Sequence, residues 1–128
     1  MSVRIVRLGS ARGKDEGLRI GTVRRPPRGV PKAKFASEDW YDVWLPELSP
    51  LEATVKLALK AETDAQWKAF EKRYTREMAA ATPSRVLDML AALSREADFS
   101  VGCYCADESR CHRSVLRGLL RDRGARIA

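Results

Sequence analysis

The chain has 128 residues, 45% hydrophobic and 32% charged, which suits one compact globular domain over residues 1–128. No apolar run approaches the roughly 20 residues that cross a bilayer, and the opening MSVRIVRLGSARG holds no apolar leader, so a cytoplasmic protein without membrane contact is expected. The net charge of +7, from 24 Lys and Arg against 17 Asp and Glu, favours anionic partners: nucleic acid, phosphorylated molecules or simple oxyanions.

Ser2–Leu8 sets Val3, Ile5 and Leu8 among Arg4 and Arg7 and predicts a first strand. Ala11–Gly17 is a polar turn, and Leu18–Val23 predicts a second short strand. Arg24–Lys32, RRPPRGVPK, is a loop with four basic residues in nine. Pro26 and Pro27 cannot donate to a sheet ladder, so the strand ends near Arg24. Ser37–Trp40 predicts a short helix capped by Ser37 and closed at Pro46. Ser49–Pro50 predicts the start of another helix, with Leu51, Val55 and Leu59 on one face.

Thr63–Gln66 fits a capping box. The helix after it places Trp67, Phe70, Tyr74, Met78 and Ala81 at steps of three and four, a core stripe. Thr82–Pro83 predicts the start of a further helix with Val86, Leu87, Leu90 and Leu93 inward. Phe99–Cys105 is a near-continuous apolar run suited to a buried central strand. After the polar loop ADESR, a helix with Val115, Leu116, Leu119 and Leu120 inward runs to a terminator at Gly124. Arg126–Ala128 is a candidate last strand. The order predicts an α/β domain: a single three-layer, Rossmann-like unit with a small, mostly parallel sheet flanked by helices.

The stretch CYCADESRCHR, Cys103–Arg113, holds all three cysteines and the only histidine of the chain. An odd cysteine count and a reducing compartment argue against a disulfide framework. The stretch forms a strand–loop–helix unit, and sites in open α/β sheets gather where strands end and helices begin. There the loop amides and the helix N-terminus offer partial positive charge, which stabilises a thiolate. Cys105 at the strand end, followed by Arg110 and Arg113, has the layout of loops in which a thiolate attacks an oxyanion-bearing substrate. Asp107 and Glu108 oppose this unless they point away. A zinc site would use Cys103, Cys105, Cys111 and His112. Adjacent Cys111 and His112 would diverge by about 100° if both were helical. Cys103 by itself suits a small core residue.

Cys105–Glu108 with Cys111–Arg113 resembles the "C-[AY]-E … CHR" signature of the domain of unknown function 488 family. The N-terminal half is similar to its YeaO-like branch, through Thr22–Gly29 (TVRRPPRG), Glu38–Trp40, Leu45–Pro46 and Ser49–Pro50. Val23 stands where the family has an acidic residue, and Pro26 where it has a tryptophan. The resemblance implies an α/β fold with a pocket that joins the arginine-rich loop to the CHR turn. Arg24, Arg28, Gly29, Arg110 and Arg113 would bind an anion there, Cys105 and His112 would be reactive, and Cys111 and Trp40 would support them. A cysteine-dependent hydrolase or transferase is the enzymatic expectation. No cofactor is expected, and the partner is a small anion or, alternatively, nucleic acid.

Overall fold

The computed structural model describes all 128 residues. Four parallel strands form one sheet in the order β1–β4–β2–β3: β1 is Val3–Arg7, β2 Leu18–Gly21, β3 Val43–Trp44 and β4 Phe99–Cys103. β4 pairs with β1 on one side and β2 on the other, and every one of its residues is buried. That accounts for its apolar sequence, since a central parallel strand has no solvent face. Ile127 adds a single parallel bridge to Val3 at the outer edge of β1.

Four helices follow: α1 (Glu52–Lys60), α2 (Asp64–Met78), α3 (Ala81–Leu93) and α4 (His112–Asp122). Alternation along the strands sends Val3, Ile20, Phe99 and Val101 to one face. There they join Trp67, Phe70, Tyr74, Met78, Leu87, Leu90, Leu116 and Leu120 in one core. The stripe of α2 is therefore core, apart from Ala81, which is exposed at the start of α3. Leu93, expected inward, is 39% exposed. Thr63 and Gln66 form the expected capping box. No helix is long and apolar enough to cross a membrane.

Three local expectations differ from the structure. Ser37–Trp40 is a turn, preceded by a 3₁₀ turn at Lys32–Lys34, and the segment after it forms β3. Asp39 has φ of +61°, which ends any helix there. Trp44 then donates its Nε1 to the Val23 carbonyl at 2.7 Å and fixes the chain beside β2. α1 is not capped by Ser49: Glu77 of α2 accepts from the Leu51 amide at 2.9 Å and from the Thr54 hydroxyl. As a result Thr54 faces inward, while Leu51 and Leu59 are 54% and 79% exposed. α3 starts at Ala81 without a side-chain cap.

The opposite sheet face is covered by a layer of loops. The segments Leu8–Gly17 and Thr22–Asp42 lie over Arg19, Ser100, Gly21 and Gly102. A Cβ on Gly21 would meet the Tyr41 ring at 2.4 Å, and one on Gly102 would meet the Leu8 side chain at 2.7 Å, so the loops press directly on the sheet. Arg19, fully enclosed, bonds Glu16 at 2.7 and 2.9 Å and the carbonyls of Ser10 and Asp39 at 2.7 Å each. Ser100 donates to Glu16 at 2.8 Å. Burial by itself would raise the Glu16 carboxyl, but the bonds from Arg19, Ser100 and the Gly13 amide hold it at about 2.

Candidate functional site

The winding of the chain opens a crevice. After β1 and β2 the backbone crosses the loop-covered face, and after β4 it turns into α4 on the helical face. Neighbouring strands thus part at their C-terminal ends, where open α/β sheets bind ligands. Two cavities open there, of about 400 Å³ and about 760 Å³. Tyr104 and Arg25 border both; the Tyr104 hydroxyl donates to the Arg25 carbonyl at 2.8 Å and forms the partition.

The floor of the smaller cavity is the cysteine cluster. Cys103 ends β4, and Cys105 follows on the same side of the extended chain. Cys111 lies just before α4, with φ −134° and ψ 153°, and is therefore extended rather than helical. This removes the expected divergence of Cys111 and His112. The Cys111 thiol donates to Cys103 at 3.1 Å, and Cys103 donates to Cys105 at 3.5 Å. His112 Nδ1 is 3.8 Å from Cys111 Sγ. His112 Nε2 is 2.8 Å from the Thr22 carbonyl, which only an N–H can satisfy, so Nδ1 keeps its lone pair when the ring is neutral.

These bonds form a one-way relay that ends at Cys105, the exposed member. The hydrogen bond from Cys103, with Cys111 behind it, lowers the Cys105 thiol to about 3; partial burial opposes this and the charge of Arg113 reinforces it. Cys103 is held protonated, because its proton is shared with Cys105 and its surroundings are dry. One ligand atom from each of Cys103, Cys111 and His112 lies within 4.8 Å of the others, so the same cluster has the donors for a thiophilic metal ion.

Cations surround the floor. Arg113 is 3% exposed, donates to the Cys105 carbonyl at 2.6 Å, and has an Nε without any partner. No carboxylate lies within ion-pair distance of it. Arg24 bonds only the Ser49 and Pro50 carbonyls, at 3.1 and 3.2 Å. Arg110 reaches Asp64 at 2.9 Å and lies 5.5 Å over the Trp67 ring. The two loop acids are turned aside: Asp107 accepts from the amide and hydroxyl of Ser109, and Glu108 is engaged twice by Arg117.

The smaller cavity thus brings together Arg24, Cys105, Arg110, Cys111 and His112. His112 meets Cys111, and no hydrogen bond joins it to Cys105. Arg28 and Trp40 line the larger cavity instead. Gly29, with φ of +74°, forms the exposed turn beside Arg28 and lines neither. Sequence reasoning missed Arg25, Lys56, Tyr104 and Arg7. Tyr104 carried a signal: between two same-side cysteines, an extended chain turns it to the other side.

The family profile described as the active DUF488-N3 subclade matches residues 3–124. The chain belongs to the domain of unknown function 488 family. Neither a curated protein nor a solved structure matches it. The family expected from the CHR turn is thereby established over residues 3–124, with the N3 subclade as the branch matched, and the CHR turn of this DUF488 protein is the rim of its thiol cluster.

Proposed function

We infer that the smaller cavity takes an anionic substrate and that Cys105 reacts with it as a thiolate. The observation that carries this is the enclosed Arg113, a cation with no carboxylate partner, which lies outside the cavity lining and is bonded to the carbonyl of Cys105. An uncompensated buried charge is costly, and either the thiolate or a bound oxyanion beside it relieves that cost. Arg24, Arg25, Lys56 and Arg110 line the same space against a single acid, Glu52. The description of the subclade as active favours chemistry over simple binding. In the reaction class proposed, a hydrolase or transferase, the Cys105–substrate bond forms as the leaving-group bond breaks. Water or an acceptor then restores the thiolate.

The test is alkylation of Cys105, followed by mass spectrometry between pH 5 and 9. Iodoacetamide is expected to modify it nearly as fast at pH 5.5 as at pH 8. The anionic iodoacetate should gain relative to iodoacetamide, and added sulfate should slow both. A rate climbing about tenfold per pH unit up to the ordinary thiol range near 8.5 would remove the thiolate.

A second reading rests on the convergence of Cys103, Cys111 and His112. With Nε2 committed to the Thr22 carbonyl, His112 is oriented as metal-bound histidines are, through an outer hydrogen bond. Stoichiometric zinc in the purified protein, with alkylation blocked until a chelator is added, would favour it over the free thiolate.

A further inference from the structure

The larger cavity lies on the other side of Tyr104, away from the cysteines. Its walls are the C-terminal turn of β1 and the Arg25–Arg28 stretch of the proline loop. Pro26 and Pro27 stiffen the loop, and the left-handed Gly29 reverses it, with the Val30 amide bonding back to the Pro27 carbonyl at 3.5 Å. Arg28 is left at the apex of that turn, lining the cavity. Arg7 enters from the end of β1, its Nε donating to the Tyr104 carbonyl at 3.3 Å. Arg25 completes the set.

No acidic residue lines this cavity, and neither Arg7 nor Arg28 has a carboxylate partner. Arg25 has one, Glu52 at 2.8 Å, but both side chains are well exposed, so that pair holds it weakly. Trp40 and Tyr104 close the far side as a corner, with ring centroids 5.9 Å apart and planes at 73°. Trp40 is seated against Gly9, where a Cβ would meet its ring at 2.9 Å. Three guanidinium groups beside a two-ring corner match a ligand with two parts, one multiply charged and one flat. A flat base stacks on one ring while meeting the edge of the other, and phosphate oxygens accept from the arginine forks.

We propose that this groove binds the base-and-phosphate unit of a nucleotide, with the phosphate on Arg7, Arg25 and Arg28 and the base in the Trp40–Tyr104 corner. The inference stands apart from the thiolate reaction, since no cysteine lines the groove.

The test is a titration of the full chain with adenosine monophosphate, ribose 5-phosphate and inorganic phosphate at low salt. It is followed by tryptophan fluorescence excited beyond base absorption and by calorimetry. The nucleotide is expected to bind at least tenfold more tightly than either base-free probe and to quench Trp40 emission. Arg28→Glu, at an exposed and unpaired position, should weaken it at least tenfold. Trp40→Phe should abolish the quench while retaining part of the binding. Cys105→Ser should bind the nucleotide as the parent does while losing alkylation, so the groove and the thiolate succeed or fail separately. A short single-stranded oligoribonucleotide binding more tightly than the monomer, with a steep salt dependence, would identify a nucleic-acid chain as the source of the unit; equal affinity would identify the free nucleotide. Equal binding of the nucleotide and inorganic phosphate, or unchanged affinity in Arg28→Glu, would overturn the proposal.

Discussion

At the scale of single residues, Arg113 adds a buried charge to a thiol cluster whose own hydrogen bonds already favour the Cys105 thiolate. Its fork donates to the Cys105 carbonyl, and its charge lies close enough to Cys105 to favour the thiolate. Arg113→Gln keeps an N–H for that carbonyl and removes the charge. The pH midpoint for Cys105 alkylation should then rise by roughly one to three units, as expected when a neighbouring opposite charge is lost. Arg113→Lys should restore much of the charge effect but not the fork geometry. An unchanged midpoint in Arg113→Gln would mean that the thiol relay alone stabilises Cys105. The arginine was visible in the sequence as part of CHR; its burial without a counter-charge was not. That condition depends on Glu108 choosing Arg117 and Asp107 choosing Ser109, and composition does not encode such choices.

At the scale of elements, the helices and the central strand were legible because their signals are periodic. The stripe of α2, the capping box and the apolar run of β4 each follow from local spacing. The short helix expected at Ser37 and the serine cap expected at Ser49 failed for one reason: a long-range partner supplied what a local one was expected to supply. Glu77, far along α2, caps α1, and β2 pairs with Val43–Trp44. The first turn of α2 also reaches the site, since Asp64 and Trp67 hold Arg110 on the cavity wall. Thr63→Ala removes one half of the capping box and should cost about 1 kcal/mol. In hydrogen exchange, the amides of Asp64–Trp67 should lose protection while those near Met78 keep theirs. Equal loss along the helix would show that its first turn is held by packing instead.

At the scale of the whole molecule, the two faces of the sheet are stabilised by different forces. The helical face buries a continuous apolar core, and the loop face is tied down around Glu16, Arg19 and Ser100. That layer also forms the walls of both cavities, through the segments after β1 and β2. Acid should therefore loosen it before it melts the helices. The sign follows from Glu16, whose carboxyl is held at about 2 against an ordinary 4.5. A depressed carboxyl contributes stability that is fully present above the ordinary value and is lost as pH falls towards the folded one. The contribution is on the order of 3 kcal/mol and fades between about pH 4.5 and 2. Asp42, bonded by Arg12 and the Arg19 amide, is lowered as well and adds to the same trend. Glu16→Gln leaves Arg19 enclosed without a counter-charge and should cost about 3–5 kcal/mol at neutral pH. Denaturant unfolding of the parent should lose stability across that acid window, and the Glu16→Gln protein should show a much flatter dependence. In the parent at pH 3, exchange should rise in Leu8–Gly17 and in the loop after β2 while α2 and α4 stay protected. Helices that open together with the loops would mean that the polar layer and the apolar core unfold as one unit, and that the walls of the site cannot move without the fold.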